Sequence, residues 1–202
     1  MRVAVFGGAG FLGSHVADAL TAAGHDVVIF DLKDSPYLQA SQRQVVGSIL
    51  DLDQVSKAVQ GCELVYNFAG LSDIEEANAR PLDTVKANIL GNAIVLEASH
   101  RANVRRFVFA SSLYVYSEGG GFYRSSKQAC ELFIEEYQRK YGLAYTILRY
   151  GSLYGPRATA NNWIRQMLSQ ALATGKITRQ GDGEEVREYI HVLDAATSSV
   201  KA

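Results

Sequence analysis

Between two short β-branched runs the chain carries Gly7-Gly8-Ala9-Gly10-Phe11-Leu12-Gly13, and this glycine cluster restricts the fold more than anything else in the sequence. Before it stands Arg2-Val-Ala-Val-Phe6. After it Val16, Ala19, Leu20 and Ala23 recur at helical spacing as far as Gly24, a natural helix stop, and Asp26-Val-Val-Ile-Phe30 then ends at Asp31. The order is strand, glycine turn, helix, strand, acid. Unbroken β-branched runs suit parallel strands covered on both faces. The glycines satisfy Gly8-x-Gly10-x-x-Gly13 and also Gly7-x-x-Gly10-x-x-Gly13, so missing Cβ atoms permit a tight turn and a close approach of backbone to a pyrophosphate. Unpaired N–H groups at the start of the helix attract that anion. Asp31 sits where a carboxylate accepts hydrogen bonds from ribose hydroxyls and repels a 2′-phosphate, which favours NAD over NADP, with Lys33 weakening the preference.

The remainder is consistent with one soluble globular unit. There are 202 residues with net charge −1, 48% apolar and 20% charged, which gives no footprint for nucleic acid. No apolar run is long enough for a bilayer and Met1 leads straight into a strand, so the expectation is a cytoplasmic protein without a membrane partner. Cys62 and Cys130 lack metal-ligand spacing and are expected to be reduced, buried thiols. His15, His25, His100 and His191 are scattered, and no metal is assigned.

Further along, strands are expected at Gln44 to Gly47, Glu63 to Phe68, Arg106 to Ala110 and Ala144 to Arg149. Helices are expected over Gln54 to Gln60, Leu82 to Ala102, and from Tyr123 to about Tyr141. Asp51 suits a helix start as well as it suits a place at an adenine ring. Ala69 and Gly70 follow the fourth strand with small residues where a cofactor needs backbone clearance. Strands alternating with helices at this spacing give an α/β fold, a Rossmann-type doubly wound parallel sheet with right-handed crossovers. Leu82 to Ala102 carries more apolar surface than one sheet face needs, so a partner subunit is expected there.

The chemistry rests on Ser112, Tyr123 and Lys127. Tyrosine and lysine four residues apart share one face of a helix, where an ammonium favours the phenolate. A phenol is a poor base at neutral pH without such help. Ser111-Ser112 arrives at the carboxyl end of the fifth strand, the edge where ligands bind in open α/β sheets, and Ser112 can hydrogen-bond a substrate oxygen as its proton leaves.

With these residues the chain resembles the extended short-chain dehydrogenase/reductases, and within them the NAD-dependent epimerase/dehydratase group acting on sugar nucleotides. The likeness covers essentially the whole chain. It rests on Gly7-x-x-Gly10-x-x-Gly13, Asn67-Phe-Ala-Gly70, Asn88 with Gly91, Ser111-Ser112-x-x-Val115-Tyr116, Tyr123-x-x-x-Lys127, Leu148-Arg-Tyr150, Tyr154-Gly-Pro-Arg157 and Arg187-Glu-Tyr-Ile-His191. The resemblance implies that Gly7, Gly10, Phe11, Leu12, Gly13, Asp31, Asp51, Leu52, Phe68, Ala69, Gly70, Leu71, Asn88, Tyr123 and Lys127 hold NAD. It implies that Asn162 and Arg187 meet the substrate's pyrophosphate, for which the planar fork of arginine is suited. A surface pair with Glu184 or Glu185 is the alternative for Arg187. A homodimer through helices 82–102 and 126–141 is implied as well.

Three departures narrow the expectation. The 4,6-dehydratases of this group carry an Asp-Glu pair after the active-site Ser/Thr, and the related decarboxylases a glutamate; here Leu113 and Tyr114 stand there, which disfavours both reactions. The connection from Ser112 to Tyr123 is short and glycine-rich, removing part of the rim over the sugar. The expected domains are 1–155, binding NAD, and 156–202, an incomplete start of a C-terminal substrate-binding lobe represented by Trp163 to Thr174 and Ile177 to Ile190. The leading expectation is a sugar-nucleotide 4-epimerase-like reaction by transient oxidation at a hydroxyl-bearing carbon. The alternatives are a one-way NAD(P)-dependent reductase or dehydrogenase and a non-catalytic NAD-binding module.

Overall fold

The computed structural model describes residues 1–178, 184 and 186–202. Six parallel strands form the central sheet: β1 (Arg2–Phe6), β2 (Asp26–Asp31), β3 (Arg43–Val46), β4 (Leu64–Asn67), β5 (Arg106–Ser112) and β6 (Ala144–Tyr150). Their order is β3-β2-β1-β4-β5-β6, the doubly wound arrangement in which the chain goes outward from β1 first on one side and then on the other. Strand positions match the β-branched and aromatic runs to within about two residues, the usual uncertainty of an element end.

Alternation within each strand builds two cores. Ala4 and Phe6 of β1, Val65 of β4 and Phe107 and Phe109 of β5 face a layer of α2 (Leu52–Val59), α5 (Gly91–Arg101) and α6 (Gly121–Tyr141), where Val55, Leu96 and Ile134 meet them. Val3, Val5, Ile29, Tyr66 and Val108 face the opposite layer, which α1 (Phe11–Ala22) supplies through Val16 and Leu20 and α8 (Val192–Lys201) through Ala196. Phe6, Phe107 and Phe109 are fully buried, and each such side chain contributes about 2–3 kcal/mol of apolar burial. The edge strand β3 and the outer β6 are only partly covered.

The expected helix from Leu82 to Ala102 is present but not uniform. It begins as α4 (Pro81–Thr84), widens into a π-helical segment at Val85–Leu90 and resumes as α5. The widened turn leaves the Asn88 carbonyl to accept the Cys130 thiol at 3.1 Å. A six-residue helix, α3 (Ile74–Ala79), precedes it, opened by Asp73, whose carboxylate accepts the Glu76 N–H.

Beyond β6 the chain forms β7 (Ser152–Tyr154), then α7 (Trp163–Thr174) at the predicted position, then β8 (Tyr189–His191), which pairs with β7 in parallel. The Ile177 to Ile190 expectation falls in part on residues outside those described. From β8 the chain returns as α8 to the second core, over Val3 and Val5, tied down by the Tyr66 hydroxyl donating to Ser199 O at 3.1 Å. Among the described residues no helix is long and apolar enough to cross a membrane.

Candidate active site

The strand order reverses between β1 and β4, so the loops leaving these two strands part and open a crevice. Gly7 leaves β1 with φ +75°, a left-handed conformation, and a Cβ there would press on the Ala69 backbone after β4. A Cβ on Gly13 would collide with the Gly7 carbonyl, so α1 starts directly beneath the turn. Gly10 precedes α1 without a capping side chain, and Gly10 to Gly13 line the cleft, which leaves the first-turn N–H groups to an anion. Asp31 accepts the Ala9 N–H at 3.0 Å through Oδ2, fixing the acid against the glycine turn with Oδ1 left for a ribose hydroxyl. Gly7, Gly10, Phe11, Leu12, Gly13, Asp31, Phe68, Ala69, Gly70 and Leu71 all line one cleft of about 590 Å³. Cradle, acid and small-residue wall fit a dinucleotide.

Three residues expected at the cofactor, Asp51, Leu52 and Asn88, are not among those lining this cleft. Asp51 caps α2, accepting the N–H groups of Asp53 and Gln54 at 3.0 Å, and Leu52 packs against the first core; neither lines the cleft. At that end the wall includes Leu32, Ile49 and Leu50 beside Lys33, Gly47 and Ser48; the three apolar residues carry no motif and were missed in the sequence. Asn88 is buried behind the cleft. Its side-chain oxygen accepts the Leu71 N–H at 2.7 Å while its NH₂ donates to Leu71 O at 3.1 Å and to Ser126 Oγ at 2.9 Å. It therefore shapes the loop that lines the cleft rather than lining it.

Ser112, Tyr123 and Lys127 are brought together at the same cleft, each at most 9% exposed. Ser112 closes β5, and its Oγ accepts the Tyr114 N–H at 3.3 Å as a 3₁₀ turn, Leu113–Tyr116, begins. Tyr123 and Lys127 lie one turn apart on α6, whose first turn is capped from α3, with the Phe122 N–H donating to Asn78 Oδ1 at 2.8 Å. The Lys127 ammonium donates to Ala110 O at 2.8 Å and stands 5.7 Å from the centre of the Tyr123 ring. Among the described residues the Tyr123 hydroxyl has no hydrogen-bond partner and is available to a substrate.

A second cavity of about 450 Å³ shares Ser72, Ser112, Tyr123, Tyr150 and Gly151 with the first and continues to Tyr114, Ser117, Arg187 and Glu188. Ser112 and Tyr123 thus stand on the wall common to both. Tyr150 is the other phenol there, but its hydroxyl pairs with Ser199 Oγ at 2.7 Å, and burial raises its pKa well above the usual range, so it keeps its proton. Arg187 is exposed and lines the second cavity; Glu185, one of its expected partners, is outside the described residues. Asn162 lines the first cavity, but its amide is engaged, accepting the Arg165 N–H at 3.2 Å as the cap of α7 and donating to Leu153 O at 2.8 Å.

The sequence profile described as "NAD dependent epimerase/dehydratase family" matches residues 3–202. A putative UDP-glucose 4-epimerase of Methanocaldococcus jannaschii is 29% identical over 99% of the chain and 72% of its own length. A dTDP-glucose 4,6-dehydratase of Mycobacterium tuberculosis is 28% identical over 96% of the chain and 66% of its own length. Among solved structures, UDP-glucose 4-epimerase of Thermotoga maritima with UDP-glucose superposes with a TM-score of 0.91 at 29% identity, over 99% of the chain and 72% of that protein. The chain thus spans about 70% of the length of these relatives.

Proposed function

Because the chain belongs to the NAD dependent epimerase/dehydratase family, enzymes of the extended short-chain dehydrogenase/reductase type, we propose that it is a sugar-nucleotide epimerase working by transient oxidation at a hydroxyl-bearing carbon. The observation that carries the reading is the shared wall. Ser112 and Tyr123 face a cleft that fits a dinucleotide on one side and a second cavity of mixed polar and apolar lining on the other, with the Lys127 ammonium behind the phenol. An alcohol in the second cavity gives its proton to Tyr123, beside which the Lys127 ammonium stands. Ser112 holds the oxygen as it becomes a carbonyl, and Tyr123 returns the proton afterwards. NAD, when bound, supplies the acceptor and then the donor of a hydride. No further acid or base is needed. Leu113 and Tyr114 occupy the place of the dehydratase acid–base pair, and this favours epimerisation over loss of water.

Arg187 supports a substrate that carries a diphosphate, since its guanidinium lines the cavity with a planar fork of donors. For the division of the chain, the dinucleotide unit of 1–155 would be completed by α8, while α7 and the β7–β8 pair would begin the substrate side; this modifies the simple boundary at residue 155. A cytoplasmic homodimer completes the reading. Leu82, Val85, Leu90, Leu132 and Phe133 are exposed on the helices from α4 through α6 and supply an apolar face for a second copy.

The test is to incubate the protein with NAD and UDP- or GDP-sugars, follow transient NADH absorbance and identify the product sugar. An inverted hydroxyl without net consumption of cofactor is expected. Stoichiometric consumption of added NAD(P)H would replace the reading by a one-way reductase. NAD binding without turnover of any sugar nucleotide, unchanged in Tyr123→Phe, would replace it by a non-catalytic module.

A further inference from the structure

Behind the reacting groups lies an ion pair whose carboxylate is buried while its guanidinium stays partly open to solvent, the Arg149 side chain being 35% exposed. Glu131 is 8% exposed and follows Lys127 by one turn on α6. One of its oxygens accepts the Ser111 hydroxyl at 2.5 Å and Arg149 Nε at 3.0 Å, and the other accepts an Arg149 terminal nitrogen at 2.7 Å. The remaining arm of Arg149 donates to the Tyr116 hydroxyl at 2.5 Å, and the guanidinium lies 4.9 Å from the centre of that ring. Ser111 precedes Ser112 and Tyr116 ends the turn that follows it. One carboxylate–guanidinium fork therefore grips the chain on both sides of Ser112, and it does so from α6, which carries Tyr123 and Lys127, and from β6.

We infer that Glu131 is a positioning residue, which through Ser111 and through Arg149 and Tyr116 sets the aim of the Ser112 hydroxyl relative to Tyr123. A buried charge is costly unless paired and hydrogen-bonded, and here every contact of the pair is spent on the segment around Ser112. An apolar residue in place of Glu131 could neither accept the Ser111 hydroxyl nor hold the guanidinium that reaches Tyr116. Lysine in place of Arg149 could not serve Glu131 and Tyr116 at once, because it lacks the planar fork.

The activity arm of the test rests on the function proposed above. With NAD and UDP-glucose, Glu131→Gln is expected to lower kcat by about 10- to 100-fold, in line with the cost of a misplaced reacting group, while NAD affinity changes less than about twofold. Tyr116→Phe removes one hydroxyl from a residue 71% exposed, so the fold is not at risk; kcat is expected to fall about threefold to tenfold at unchanged thermal stability. Unchanged kcat in both variants would overturn the proposal. A second arm needs no substrate: amide hydrogen exchange at residues 112–117 is expected to rise about tenfold or more in Glu131→Gln, with β1, β4 and NAD binding unaffected. Were the wild-type protein inert to every sugar nucleotide, the functional reading would fall and this arm alone would decide; equal exchange in both proteins would overturn the positioning role.

Discussion

Tyr123 and Tyr150 reach the same two cavities, and what separates them is the partner of the hydroxyl. Tyr150 is tied to Ser199 and held protonated by burial, whereas Tyr123 presents a free oxygen within the field of an ammonium. Tyr123→Phe is therefore expected to lower kcat by about 10²–10⁴-fold, the range of a lost general acid–base, while calorimetry finds NAD affinity within about twofold of wild type. Tyr150→Phe should leave more than about a tenth of the activity. The cysteines give a second residue-scale expectation. Burial pushes the Cys130 thiol up to about 11 and raises that of Cys62, so both stay protonated at pH 8 and neither reacts with a thiol reagent until the protein is denatured. Since the folded protein holds the Cys130 proton more tightly than the unfolded chain, this group's contribution to stability is complete below pH 9 and is lost as the pH rises through 11. Denaturant titration at pH 8 and pH 10.5 checks the sign. Residues with a chemical signature, such as Gly13, Asp31 and Tyr123, were legible in the sequence. Leu32, Ile49 and Leu50 were not, because an apolar wall on a loop looks like any other apolar residue.

At the scale of elements, the strands and long helices followed directly from β-branched runs and from 3.6-residue periodicity. α3 escaped because six residues cannot display a period, although Asp73 followed by Glu76 carried its start signal. The π-helical segment in the predicted helix 82–102 left no pattern at all, since it is set by tertiary partners: Asn88 reaches Leu71 and Ser126 at once. Yet α3 bears directly on the site. Asn78 on its last turn caps α6, and a side chain on Gly121 would displace it. Asn78→Ala is expected to cost about 1 kcal/mol, the usual value of a lost cap, and to lower Tm by about 2–4 °C by calorimetry. If Tm is unchanged, the cap does not hold the start of α6.

For the molecule as a whole, the exposed side chains of Leu82, Val85, Leu90, Leu132 and Phe133 on the helices from α4 through α6 offer apolar surface to a second copy. Light scattering at micromolar concentration is expected to give twice the chain mass, and Leu132→Glu to return it to a monomer with NAD affinity intact; a monomeric wild type would remove the dimer. Global topology was legible because alternating elements leave one economical winding, whereas the return of α8 to the second core was not, since its partners lie at the other end of the sequence. That return has an outcome in time. The layer over Val3 and Val5 is opened by α1 and filled by α8, about 180 residues later. A growing chain must carry a half-clad sheet over the whole interval between these two helices, which makes this face a natural place for a chaperone to hold it and keeps it open to a protease until α8 arrives.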